Sequence, residues 1–212
     1  LRRSARRAGP LVAVNCGAIP DGLIETELFG HTKGAFTDAK QARPGAIAQA
    51  EGGALFLDEI DTLSPRGQVT LLRFLQDFRY RPVGACKESV ADLRVIAASN
   101  QPLQRLVDDG RFRRDLFYRV NIFELSIPPL RSREGDVEIL AHHFIVRFSR
   151  HYGIPLKQLH PETVEWLRRY PWPGNVRELE NWIHRELVLT EGDEIRSRPD
   201  PPVCCDARCD GD

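Results

Sequence analysis

The stretch ALFLDEI (54–60) sets two carboxylates, Asp58 and Glu59, directly after four apolar residues. A short continuous apolar run reads as a strand buried on both faces. Ligand sites of open α/β sheets lie beyond the carboxyl ends of such strands. An aspartate there can hold Mg²⁺ through water, and a neighbouring glutamate can polarise an attacking water. The same two acids would also serve as the solvated end of a strand. A second apolar run, LRVIAAS (93–99), leads into Asn100, whose amide could orient that water or simply form a turn. RFRRDLFYRV (111–120) then supplies Arg113 and Arg119. Arginine suits the charge on a transferring phosphoryl group, and ion pairing with Asp115 or Glu124 is the alternative. Their six-residue spacing keeps them off a single helix face.

These residues need a sheet and helices to hold them. LVAV (11–14), ALFL (54–57) and LRVIAAS (93–99) read as parallel strands covered on both faces, and NIFELSI (121–127) as a more alternating fourth strand. Between them RGQVTLLRFLQDF (66–78) reads as a helix, with Val69, Leu72 and Leu75 spaced by three and Leu71 and Phe78 widening the stripe. Strand–helix alternation predicts an α/β sheet. After the proline-bearing PPLRSREGD only helical signals follow: 138–152, 161–170 with Pro161 in its first turn, and a helix from Asn175. There Asn175 and Glu178 match a capping box, and Val176, Leu179, Ile183 and Leu187 form the stripe. The expected domains are therefore an α/β core over 1–130, a helical unit over 131–195 and an irregular tail over 196–212.

Composition narrows the function. Hydrophobic residues at 42% are enough for a real core, and the formal net charge of zero excludes a global field toward nucleic acid or membrane. No apolar run approaches membrane-spanning length. The arginine-rich start reads as the exposed end of a helix. Cys204, Cys205 and Cys209 crowd the tail without matching a common zinc pattern. Cys16 and Cys86 stand alone, which fits a reducing cytoplasm. The chain starts at Leu1 and contains no methionine, so a longer parent protein is expected.

Five motifs in order carry a resemblance: VNCGAIPDGLIETELFGHTKGAFTDA, EGGALFLDEI, FRRDLFYRV, IPPLRSREGD and PWPGNVRELEN. Together they resemble the AAA+ domain of NtrC-like, sigma-54-dependent transcription activators, from near the start to about Asp193. The resemblance implies a P-loop-type parallel sheet followed by a small all-helical lid, ATP and Mg²⁺ as cofactors, and sigma-54 RNA polymerase as partner. It implies a homo-oligomeric ring, a hexamer, in the cytoplasm.

Roles follow position by position. Asp58 and Glu59 match the Walker B acids, for Mg²⁺ coordination through water and for water activation. Asn15 matches the residue that pairs with the glutamate and switches it with nucleotide state, and Asn100 matches sensor I. Arg113 and Arg119 match the arginine fingers offered to a neighbouring subunit, and Arg177 matches sensor II, which reaches the nucleotide from the lid. GAFTDA, residues Gly34, Ala35, Phe36, Thr37, Asp38 and Ala39, matches the loop that grips the sigma factor.

Two departures qualify this. No G-x-x-x-x-G-K-[ST] occurs in the chain, so the phosphate loop is expected upstream of Leu1. Asp38 replaces the family's usual glycine. A non-hydrolysing regulatory or assembly module is the alternative function, and sequence-specific DNA contact from this chain is not expected.

Overall fold

The computed structural model describes residues 6–196. The cysteine-bearing tail and the first arginines of the chain lie outside that range. What is described of the arginine-rich start is a turn, closed by Gly9 N–H on the Arg6 carbonyl at 3.1 Å. Two compact units divide the chain, Leu1–Glu124 and Leu125–Asp212.

In the first unit, β1 (Leu11–Asn15) leads through short turns to α1 (Ile24–Phe29), then β2 (Gly30–His31) and β3 (Arg43–Pro44). Next come α2 (Ala46–Gln49), β4 (Ala54–Asp58), α3 (Pro65–Asp77), β5 (Arg79–Tyr80), β6 (Ser89–Val90), β7 (Arg94–Ala97), α4 (Leu103–Asp108) and α5 (Arg114–Val120). Strands β1, β4 and β7 form a parallel sheet in that order, with Leu11 opposite Ala54, Asn15 opposite Asp58 and Leu57 opposite Ala97. The central strand β4 carries the continuous apolar run; Ala54, Leu55 and Leu57 are fully buried, and the two leucines share a core with Ile47, Ile60, Leu71, Phe74 and Leu116.

The flanking strands depart from the expectation of burial on both faces. Along β1 and β7 exposed and half-buried residues alternate, and Leu11 and Ile96 are exposed. Among the described residues these are the sheet's edges. NIFELSI is not a strand. Residues 122–127 follow α5 without ladder pairing, and Ile122, Phe123, Leu125 and Ile127 are all exposed. Alternation gives a strand only when a neighbour supplies the ladder bonds, and none is present among the described residues.

Helix α3 begins where Ser64 Oγ accepts the Gly67 N–H at 3.2 Å and Pro65 occupies the first turn. Its buried face runs through Gln68, Leu71, Phe74 and Leu75, with Val69 and Leu72 at its margin. The Phe29, Phe74 and Tyr80 rings join α1, α3 and β5.

The second unit holds α6 (Asp136–Tyr152), β8 (Gln158–Leu159), α7 (Pro161–Arg169), α8 (Asn175–Leu189) and β9 (Glu194–Ile195). It is helical apart from β8 and β9, a two-residue parallel ladder that the helical pattern did not predict. Its core is Leu130, Ala141, Ile145, Leu167, Trp172, Leu179, Ile183, Leu187 and Ile195.

The predicted capping box is displaced by one residue. Gly174 is the N-cap of α8, and its N–H donates to Glu178 Oε2 at 2.7 Å. Asn175 instead accepts the Leu130 N–H at 2.9 Å. With φ of +50°, it adopts a conformation that asparagine tolerates better than most residues.

Candidate functional site

The carboxyl ends of β1, β4 and β7 bring four predicted residues to one rim of the sheet. Asp58 closes β4, and its Oδ1 accepts the Glu59 N–H at 3.0 Å. Glu59 then takes a left-handed backbone, φ +53° and ψ +44°, which turns the chain sharply out of the strand. For a residue with a Cβ that conformation costs about 1–2 kcal/mol. Ile60 N–H on the Ala98 carbonyl at 3.0 Å, and Thr62 Oγ1 on the Glu59 carbonyl at 2.7 Å, hold it in place.

One carboxylate oxygen of Glu59 lies 3.5 Å from Asn100 Nδ2, at the long limit of a hydrogen bond. The other faces Gly17 so closely that a Cβ there would come within 2.6 Å of it. Asn100 is set by its own N–H, which donates to Asp61 Oδ1 at 3.2 Å. Asn15 sits opposite Asp58 in the ladder. Its Oδ1 accepts the N–H groups of Gly17 and Ala18, at 2.8 and 3.2 Å. Asn15 and Glu59 therefore border the same glycine from two sides, while the Asn15 oxygen is engaged in its own turn.

The rim is anionic. Burial pushes the adjacent Cys16 thiol up to about 11, with Asp58, Asp61 and Glu59 adding to the shift. A hard cation suits such a field. Among the described residues no three His, Cys, Asp or Glu side chains gather as a cage, and Mg²⁺ ordinarily keeps most of its waters and takes one or two carboxylates. Asp58 fits that demand.

The arginines sit at the two ends of α5. Arg113 is its N-cap, with its backbone N–H on Gln68 Oε1 at 2.9 Å. Its guanidinium forms a two-bond pair with Asp115, at 3.0 and 2.7 Å, which raises the arginine and holds the Asp115 carboxyl below its usual range. Arg119 reaches the end of α3, donating to the Leu75 and Gln76 carbonyls at 2.8 and 2.6 Å. No hydrogen bond or ion pair joins either arginine to Asp58 or Glu59 among the described residues. Glu124, offered as a partner by sequence, instead accepts from Asn121. Arg177 lies exposed in the first turn of α8, within the second unit.

Gly34–Ala39 form a turn between β2 and β3 whose Gly34, Phe36, Thr37 and Asp38 are exposed. Gly34 N–H bonds the Ala39 carbonyl at 2.8 Å, and Ala39 N–H bonds the Phe36 carbonyl at 2.9 Å. Phe36 is 43% exposed. Asp38 is exposed, does not have positive φ, and forms no ion pair among the described residues.

Gln68 went unread in the sequence. It is buried, and its amide bonds the Leu63 and Arg111 carbonyls, both at 3.0 Å, as well as Arg113. The available signal was a lone amide on the face of α3 that carries Leu71 and Leu75.

Two family profiles cover this geometry. The one described as the Sigma-54 interaction domain matches residues 1–126. The chain belongs to the sigma-54 interaction domain family. The AAA+ ATPase lid domain profile matches residues 131–201 of the same chain.

Relatives agree with the family assignment. The phenol regulator MopR of Acinetobacter guillouiae is 50% identical over 188 residues, 89% of this chain and 34% of that protein. The DNA-binding transcriptional regulator NtrC of Klebsiella pneumoniae is 46% identical over 200 residues, 94% of this chain and 43% of that protein. NtrX of Brucella abortus, solved in complex with ATP, superposes with a TM-score of 0.81 at 32% identity, over 93% of this chain and 42% of that one. The sigma-54 interaction chain is thus an NtrC-like AAA+ α/β domain with a lid. It spans under half the length of these relatives. Among the described residues no helix is long and apolar enough to cross a membrane.

Proposed function

We propose that the protein carrying this chain hydrolyses ATP in a cytoplasmic homo-oligomeric ring and uses the cycle to remodel sigma-54 RNA polymerase at promoters. The observation that carries this reading is the strand-end placement of Glu59, left-handed after Asp58 and within reach of Asn100.

In this reading Glu59 accepts the proton of the attacking water, and Asn100 orients that water. Asn15 pairs with Glu59 in another nucleotide state, releasing its own turn. Asp58 would hold Mg²⁺ through water. Bound Mg²⁺–ATP supplies the phosphoryl group and the charge neutralisation it needs. Arg113 and Arg119 serve the neighbouring subunit's nucleotide, which requires Arg113 to leave Asp115 and Arg119 to leave the end of α3. Arg177 senses nucleotide from the lid. No glycine-rich phosphate-cradling loop with its lysine lies within this chain. Gly34–Ala39 present Phe36 and Thr37 to the sigma factor. The neutral net charge supports the absence of sequence-specific DNA contact from this chain.

Glu59→Gln in the full-length protein tests the central chemistry. The amide keeps the shape but cannot take a proton. ATP binding by calorimetry is expected to persist while turnover falls by roughly 10²–10⁴-fold. Turnover near normal would remove Glu59 from the role.

A further inference from the structure

The turn Gly34–Ala39 carries a phenylalanine that is part exposed, yet its ring does not stand alone. The His31 ring meets Phe36 edge to face, with centroids 4.9 Å apart and planes at 68°. We propose that His31 is the positioning residue for Phe36, holding its ring ready for the sigma factor. The proposal rests on the reading of Gly34–Ala39 as the partner contact.

The backbone at His31 is fixed from two sides. It pairs with Arg43 in the β2–β3 ladder and bridges to Val83. The next residue, Thr32, adds its N–H and Oγ1 to the Val83 carbonyl, at 3.0 and 3.3 Å. Gly84, with φ +81°, lets that neighbouring turn come close: a Cβ there would stand 2.7 Å from Thr32 Oγ1 and 2.8 Å from Ala35 Cβ. The half-buried ring is oriented as well, because its Nδ1 lies 3.3 Å from the Thr32 carbonyl, a distance that the Nδ1–H tautomer spans as a donor.

The loop folds back to this platform. Ala35 N–H bonds the Thr32 carbonyl at 3.3 Å, and Ala39 is buried beneath the turn. The Phe36 ring therefore rests against His31 and keeps exposed surface for an apolar recess on a partner. An aromatic side chain fixed before docking loses less rotamer freedom on binding, and edge-to-face ring pairs are favourable in themselves. No other ring in the described structure is paired with Phe36.

The test uses the full-length protein and measures sigma-54 capture with a transition-state nucleotide analogue. The ATPase rate, taken in parallel, is the index of ring integrity. His31→Ala is expected to weaken capture roughly three- to tenfold, by more than it lowers ATPase. His31→Phe, which keeps a ring edge, is expected to restore most of the capture. In a Phe36→Leu background His31→Ala should add little further loss, because the contact it serves is already gone. If Phe36→Ala abolishes capture and His31→Ala leaves it intact, the positioning role is wrong and the loop reading stands. Capture unaffected by either change would overturn the loop reading itself. A parallel fall in capture and ATPase with no rescue by His31→Phe would mark a purely structural histidine.

Discussion

Glu59 and Asp38 each depart from what is usual at their position. Glu59 accepts a left-handed backbone that glycine would adopt freely, and strain of this kind persists where surrounding bonds over-determine the conformation. Here those bonds come from Ala98 and Thr62. Asp38 replaces a usual glycine, but its φ is not positive, so the substitution carries no backbone strain. Its consequence is charge: a carboxylate beside Phe36 loses water when the tip docks, unless a partner Lys or Arg meets it. Asp38→Gly is therefore expected to change sigma-54 capture and leave ATPase without partner unaltered. A large ATPase change would place Asp38 in ring mechanics instead. At this scale the placement of Asp58, Glu59 and Asn100 at the sheet rim was legible because each follows an apolar run. Asp61 and Gln68 were not, because their partners, Asn100 and Arg113, lie 39 and 45 residues away and only folding brings them near.

Among the elements, the stem of the Gly34–Ala39 turn depends on one close crossing. Gly30, with φ +79°, ends α1 and opens β2. Gly45 follows β3, and a Cβ on it would overlap Gly30 N and the Leu28 carbonyl. Gly45→Ala is expected to destabilise the protein by about 1–3 kcal/mol in urea unfolding, as overpacking does. Stability equal to wild type would mean that the crossing is looser than described.

A similar tight turn starts α8. Trp172 is buried with φ +47°, its Nε1 on the Leu167 carbonyl at 2.9 Å, and Tyr170 O–H reaches Glu178 at 3.0 Å. The helix after PWPGN was legible in the sequence. The cap was misplaced by one residue because Glu178 takes the Gly174 N–H while Asn175 serves the Leu130 loop, and a bond to a loop 45 residues away leaves no local pattern. Strand periodicity failed at 121–127 for the complementary reason: apolar alternation is local, whereas a ladder needs a neighbour.

At the scale of the whole molecule, the proposed ring divides one site between two chains. Arg119 holds the end of α3 and Arg113 holds Asp115, so removing either side chain could lower activity through structure alone. Mixed rings separate the two causes. Arg113→Ala or Arg119→Ala subunits mixed with Glu59→Gln subunits are expected to regain part of the ATPase lost by each alone, because in the proposed ring each arginine would serve a neighbour's nucleotide. No recovery at ratios that form mixed rings would confine the arginines to their own subunit.

The central claim is that nucleotide chemistry at the strand ends drives a sigma-factor grip by Gly34–Ala39. Its most direct measurement is sigma-54 capture by the full-length protein, with and without a transition-state nucleotide analogue, in wild type and Phe36→Ala. The account predicts capture by wild type only when the analogue is present, and none by Phe36→Ala in either condition. Equal capture with and without the analogue, or undiminished capture by Phe36→Ala, would contradict it.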